Sequence, residues 1–235
     1  MRLKWVIFAS VFLALSANAD EGFKNESELG LVLTDGNTEA QTTNFKQTNS
    51  YGFGSNLFKF SAAFLQSSNN GVESAKAWNL GLRYELSFNQ KLSSYLGQGV
   101  EADKFAKIKQ RYKTDIGAKY VFKKTERWVW FLESGYRFTK ENSYILSRNL
   151  HYARAYSELE KKWNPSVSTK YWVEYLPNIS QGKDWQLNTE LSTLATLSEV
   201  FSIKSALLVR YDNEPNAGVS QKTDRILTTA LVARF

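Results

Sequence analysis

Residues 78–88, WNLGLRYELSF, alternate without a break. Trp78, Leu80, Leu82, Tyr84, Leu86 and Phe88 fall on one side, and Asn79, Gly81, Arg83, Glu85 and Ser87 on the other. A helix would scatter both sets around its surface, so a period of two over this length defines a strand. The length is a second constraint. Strands of soluble proteins are commonly about 5–6 residues, whereas a tilted strand needs about 9–11 to cross a bilayer.

The pattern recurs down the chain. Tyr112, Thr114, Ile116, Ala118, Tyr120 and Phe122 alternate with Lys113, Asp115, Gly117 and Lys119. Trp128, Trp130, Leu132, Ser134, Tyr136 and Phe138 oppose Glu133, Gly135 and Arg137, and Phe201, Ile203, Ser205, Leu207, Val209 and Tyr211 oppose Lys204 and Arg210. Less regular versions occupy 24–34, 39–50, 56–66, 92–103, 150–162, 167–176, 185–196 and 223–235, which makes twelve predicted strands. With both termini on the periplasmic side, the periplasmic turns read as 51–55, 89–91, 123–127, 163–166 and 197–200. The external loops read as 35–38, 67–74, 104–111, 139–149, 177–184 and 212–222. Apart from the first, each external loop is longer than each periplasmic turn, as expected of a membrane barrel.

The N-terminus fits that destination. Arg2 and Lys4 precede an apolar run from Trp5 to Leu15, and Ala17-Asn18-Ala19 follows. This is the order of a cleaved signal peptide over 1–19, leaving 20–235 as one barrel domain. The chain has no cysteine, which excludes a disulfide-stapled domain, a cysteine metal site and a lipid-anchored lipoprotein. Mean hydropathy is −0.41 and no later segment suits a helical span. A membrane fold must therefore be a barrel, whose strands hide half their residues from lipid. Trp78 with Phe88, Tyr112 with Phe122 and Phe201 with Tyr211 bracket apolar rows as interfacial aromatic girdles would. The chain closes on Phe235, in one row with Leu227, Thr229, Leu231 and Ala233, the form of the assembly signal that ends outer-membrane barrels. The predicted fold is an all-β, transmembrane, antiparallel up-and-down β-barrel located in the outer membrane.

On Gly36-Asn37-Thr38, on Tyr211-Asp212 with Pro215 and Asp224, and on the closing Phe235, the chain resembles the salt-stress-induced outer-membrane protein family, over about residues 22–235. The last strand departs from that family, ending Leu-Val-Ala-Arg-Phe where a tyrosine or lysine often precedes the final Phe. The resemblance implies a barrel of no defined activity and brings no catalytic residues. Each motif also has a local reading: Asp35-Gly36-Asn37 suits a tight hairpin turn, and Pro215 stiffens the last external loop.

Chemistry is sparse. A phospholipase-like barrel hydrolase would need the single histidine, His151, beside a nucleophile such as Ser147 and an orienting third group, and no third group is evident. No phosphate-cradling loop, metal spacing or cofactor motif is visible, and the basic residues form no nucleic-acid stripe. One basic run, Lys104, Lys107, Lys109, Arg111 and Lys113, is placed to hold lipopolysaccharide phosphates outside the bilayer. The remaining partners expected are outer-membrane lipid, the barrel assembly machinery and periplasmic chaperones.

Alternation sends Arg83, Glu85, Glu101, Asp103, Asp115, Lys119, Glu133, Arg137, Arg154, Glu158, Lys170, Glu174, Glu190, Lys204 and Arg210 to the inward face. Seven are basic and eight acidic. Mixed signs at that density predict side chains paired across the lumen, and hence a structural or passively permeable barrel of small conductance and weak selectivity.

Overall fold

The computed structural model describes residues 22–34 and 40–235. The predicted signal peptide and the 35–38 turn lie outside the described residues. Twelve strands follow one another: β1 (Phe23–Thr34), β2 (Ala40–Phe53), β3 (Asn56–Asn69), β4 (Val72–Ser87), β5 (Leu92–Asp103) and β6 (Ile108–Lys124), then β7 (Trp128–Ser143), β8 (Ser147–Asn164), β9 (Val167–Pro177), β10 (Trp185–Thr196), β11 (Phe201–Asp212) and β12 (Thr223–Arg234). Each pairs antiparallel with its neighbours in sequence, and β1 pairs with β12 to close the barrel. We call the rim carrying Phe23 and Phe235 proximal and the opposite rim distal.

The barrel is inside-out relative to a soluble protein. Leu82 is 62 % and Ile116 57 % exposed on the outer wall, while Glu133 and Arg154 are buried inside. The outer wall is a transmembrane surface whose hydrocarbon contacts replace a core. Aromatic rows bracket it: Tyr51, Phe53, Phe58 and Tyr84 adjoin one another near the proximal rim, as do Tyr120, Phe122 and Trp130, and Tyr175, Trp185 and Tyr211 adjoin near the distal rim. A polar patch on β1 and β2 interrupts the apolar face. Asn25, Ser27, Gln47 and Asn49 share the outer side of β1 and β2 and hydrogen-bond to one another, which lowers the cost of placing them against lipid.

The twelve strands fall where predicted, but the connections do not show the predicted asymmetry of length. The distal connections are 70–71, 104–107, 144–146, 178–184 and 213–222, besides the one outside the described residues. The proximal ones are 54–55, 88–91, 125–127, 165–166 and 197–200. Only the last two distal loops are longer than every proximal turn. Much of the remaining predicted loop sequence extends the strands instead. Thr139–Ser143 continues β7 and Ser147–Asn149 begins β8, so the asymmetry lies in strand overhang rather than in loop length. At 70–71 the cause is local: Asn70 and Gly71 have φ of 48° and 76°, a positive pair that suits a two-residue hairpin turn with the twist of its strands.

Candidate functional site in the barrel lumen

Midway through the lumen, eight side chains from β4, β6, β7, β8 and β9 join in one chain of alternating charge. Lys119 donates to Glu85 at 3.2 Å, and Glu85 accepts from Arg83 at 2.7 Å. Arg83 grips Glu133 with both terminal nitrogens, at 2.6 and 3.1 Å. Glu133 also accepts from Arg154 at 2.7 Å, and Arg154 donates at 2.7 Å to Glu174. Arg137 then bonds Glu174 at 3.1 Å and Asp115 bidentately, at 2.6 and 2.8 Å. The planar guanidinium makes this possible, since each arginine serves two carboxylates at once.

The Tyr95 ring packs against this chain. Tyr95 pairs across to Gly117, Gly117 to Gly135, and Gly135 to Arg154, so four residues of one row lie side by side. The Tyr95 ring reaches over both glycines, and its hydroxyl accepts from Arg154 at 2.9 Å. A Cβ on Gly117 would stand 2.4 Å from the Ser134 carbonyl and 2.6 Å from the Tyr95 hydroxyl, and Gly135 is equally tight. Arg83 stacks on the same ring, 4.0 Å from its centroid. Two missing side chains thus make room for the ring that anchors Arg154.

The distal end has its own charge cluster and a cover. Arg111 bridges Glu101 and Glu141, Lys113 holds Glu101, and Arg148 bonds Glu141 at 3.0 Å. Tyr152 and Asn178 both donate to one oxygen of the buried Asp184. The 213–222 loop crosses the mouth, and Asn216 donates to the Ala106 carbonyl on the far wall at 3.3 Å. Beneath it lies a cavity of about 110 Å³ bordered by Glu101, Asp103, Arg111, Arg210, Asp212 and Asp224.

Towards the proximal rim the lumen holds a smaller set of contacts. Lys204 donates to Glu28 and lies 3.6 Å from Glu190. Tyr156 donates to Glu158, and the Phe131, Tyr156 and Trp172 rings adjoin across three strands.

Of the fifteen residues assigned to the lumen, Arg83, Glu85, Glu133, Arg137, Arg154 and Glu174 join the central chain with Asp115 and Lys119. Glu158 and Lys170 stand apart from it, nearer the proximal rim. The basic run divides. Lys104 and Lys107 occupy the β5–β6 turn and Lys109 is exposed, but Arg111 and Lys113 turn into the lumen. The reason is parity: β6 starts at Ile108, earlier than predicted, so Arg111 joins the inward row in which Lys113 already lay with Asp115. Lys104 also bonds Glu73, and that hydrogen bond raises its pKa above the ordinary lysine value. His151 is not joined to Ser147. Its Nδ1 lies 2.5 Å from the Tyr136 hydroxyl, while Ser147 donates to Asn142. Phe235 joins the wall through two backbone bonds to Asn25. Glu28, Tyr95 and Glu141 were missed by the sequence reading, although Tyr95 shares its row's parity with Glu101 and Asp103.

The fold is similar to that of an outer-membrane channel from Pseudomonas putida F1, at 13% identity and TM-score 0.56, covering 91% of this chain and 96% of that one. It is also similar to the NanC porin, at 8% identity and TM-score 0.51, over 90% and 97%. The translocator domain of the autotransporter NalP from Neisseria meningitidis aligns at 12% identity and TM-score 0.50, over 94% and 90%. At these identities the likeness is one of fold. No curated protein matches the sequence. The model of a family described as "Protein of unknown function, DUF481" matches residues 27–235, nearly the whole described barrel, and the chain belongs to that family.

Proposed function

We propose that this chain is an outer-membrane barrel of the Gram-negative envelope, structural in its wall and passively permeable only to small solutes. The central chain from Lys119 to Asp115 carries the reading. A selective channel presents rings of like charge to the passing ion, whereas here each cation's field is cancelled by an adjacent carboxylate. Twelve strands also lie between small filled barrels and 16–18-stranded open porins. In this reading the proximal rim faces the periplasm, where chaperones deliver the chain and the barrel assembly machinery reads Phe235. The exposed Lys104, Lys107 and Lys109 meet lipopolysaccharide phosphates on the other side. An envelope role under salt stress, which the family resemblance implies, would appear as a growth defect of a deletion strain confined to high salt.

Swelling of vesicles containing the refolded barrel tests the permeability. Slow swelling in isosmotic arabinose and none above protein-free vesicles in sucrose are expected. Rapid swelling in both sugars would contradict a filled lumen.

A further inference from the structure

Ten of the twelve strand pairs in the described wall are hydrogen-bonded over most of both strands; β8 overhangs the shorter β9 at its distal end, and the closing pair has the shortest register of all. β1 and β12 are joined only from Asn25–Phe235 to Leu29↔Leu231, the part nearest the proximal rim. Gly30 still lies against Thr229, but no register joins the two strands beyond Leu29. Leu31–Thr34 pair with β2 alone and Thr223–Ala230 with β11 alone. The unpaired stretch therefore runs from mid-wall to the distal rim.

The lumen beside this stretch differs from the rest. Alternation places Val32, Ala206, Leu208, Ile226, Thr228 and Ala230 inward, an uncharged patch between Lys204 and Arg210 in a lumen otherwise dense in ions. Both faces of the wall are open here: Val32, facing inward, is 49 % exposed and Leu227, facing outward, is 76 % exposed. An unpaired strand edge is tolerated at membrane depth only where it is buried in protein or borders a water-filled cavity. Here the unpaired edges of β1 and β12 lie between the lumen on one side and hydrocarbon on the other.

We propose that the unpaired half of the β1–β12 seam is a side opening between the lumen and the distal leaflet, through which the hydrocarbon chain of a membrane lipid reaches the uncharged patch. The barrel then offers amphiphiles a lateral route that is separate from the ion-paired centre. An occupant with a hydrocarbon chain is favoured because the patch has no charge to satisfy and the opening faces acyl chains directly.

The chain has no native cysteine, so single nitroxide labels can be placed cleanly. Full-length barrel is refolded into phosphatidylcholine vesicles with labels at Val32→Cys or Ile226→Cys, and at Asn79→Cys (inward, on a fully paired wall) and Leu82→Cys (outward) as references. Contact with molecular oxygen, which concentrates in hydrocarbon, should match Leu82 rather than Asn79 at both seam positions. A Leu31→Cys/Thr229→Cys disulfide, which extends the closed register upwards, should return the Ile226 label to the Asn79 value. Should Val32→Cys fail to fold, Ile226→Cys reads the same opening. Oxygen contact equal to Asn79 at the seam, or contact that persists after tethering, would overturn the proposal.

Discussion

Replacing Arg154 by methionine probes the lumen most sharply, because the side chain keeps its bulk and loses only charge and donors. Arg154 serves three acceptors: Glu133 at 2.7 Å, Glu174 at 2.7 Å and the Tyr95 hydroxyl at 2.9 Å. Its side chain is 8 % exposed and that of Glu133 4 %. Stranding a buried charge completely costs roughly 3–5 kcal/mol. Neither carboxylate is stranded here, since Glu133 keeps Arg83 and Glu174 keeps Arg137. The loss is therefore that of the three bonds from the guanidinium, partly offset by lumen water and methionine packing, or about 2–3 kcal/mol. That corresponds to a roughly 30- to 150-fold rise in the unfolding constant. Reversible urea unfolding in phosphatidylcholine vesicles, followed by tryptophan fluorescence, measures it. Lys107→Met, on an exposed turn, should stay within about 0.5 kcal/mol of the parent. An Arg154→Met barrel as stable as the Lys107→Met control would show that the lumen charges are solvated individually and form no network.

Gly117→Ala and Gly135→Ala should each destabilise the barrel well beyond Gly99→Ala, whose added Cβ would meet nothing nearer than 3.5 Å, and the same urea titration ranks them. Arginine at Leu82 or Ile116 should cost about 2–4 kcal/mol, the penalty for a cation on the lipid face near mid-bilayer. Single cysteines at Tyr144 and Gly218, in distal turns, should label with an impermeant maleimide in intact cells, and one at Gln90, in a proximal turn, should not; equal labelling would refute the orientation. Replacing Lys104, Lys107 and Lys109 together by glutamine should reduce co-purifying lipopolysaccharide, and unchanged retention would remove them as its contact.

The architecture was readable because a membrane barrel writes its period into every strand. Residues 78–88 show it without a break, and even the irregular 92–103 and 185–196 segments are observed as strands with those bounds. Where reading failed, the cause was usually local. The predicted 67–74 loop is a tight hairpin because Asn70-Gly71 turns the chain in two residues, and β6 starts at Ile108 rather than at Tyr112, which takes Arg111 out of the predicted loop and into the inward row. Glu28 was hidden because the outer face of β1 is polar at Asn25 and Ser27, which blurs the alternation that marks inside from outside. The charges of the lumen were legible one by one, but their partners were not. Arg83 on β4 meets Glu133 on β7, a contact set by barrel curvature and side-chain reach rather than by spacing in the chain.

The current through single barrels in a planar bilayer, with its reversal potential across a tenfold potassium chloride gradient, tests the ion-paired lumen most directly. Small or rare openings reversing near zero potential are predicted, because cation and carboxylate cancel along the chain from Lys119 to Asp115. A large, steady conductance whose reversal potential lies close to that of either ion would mean that one sign of charge faces an open path, and would contradict it.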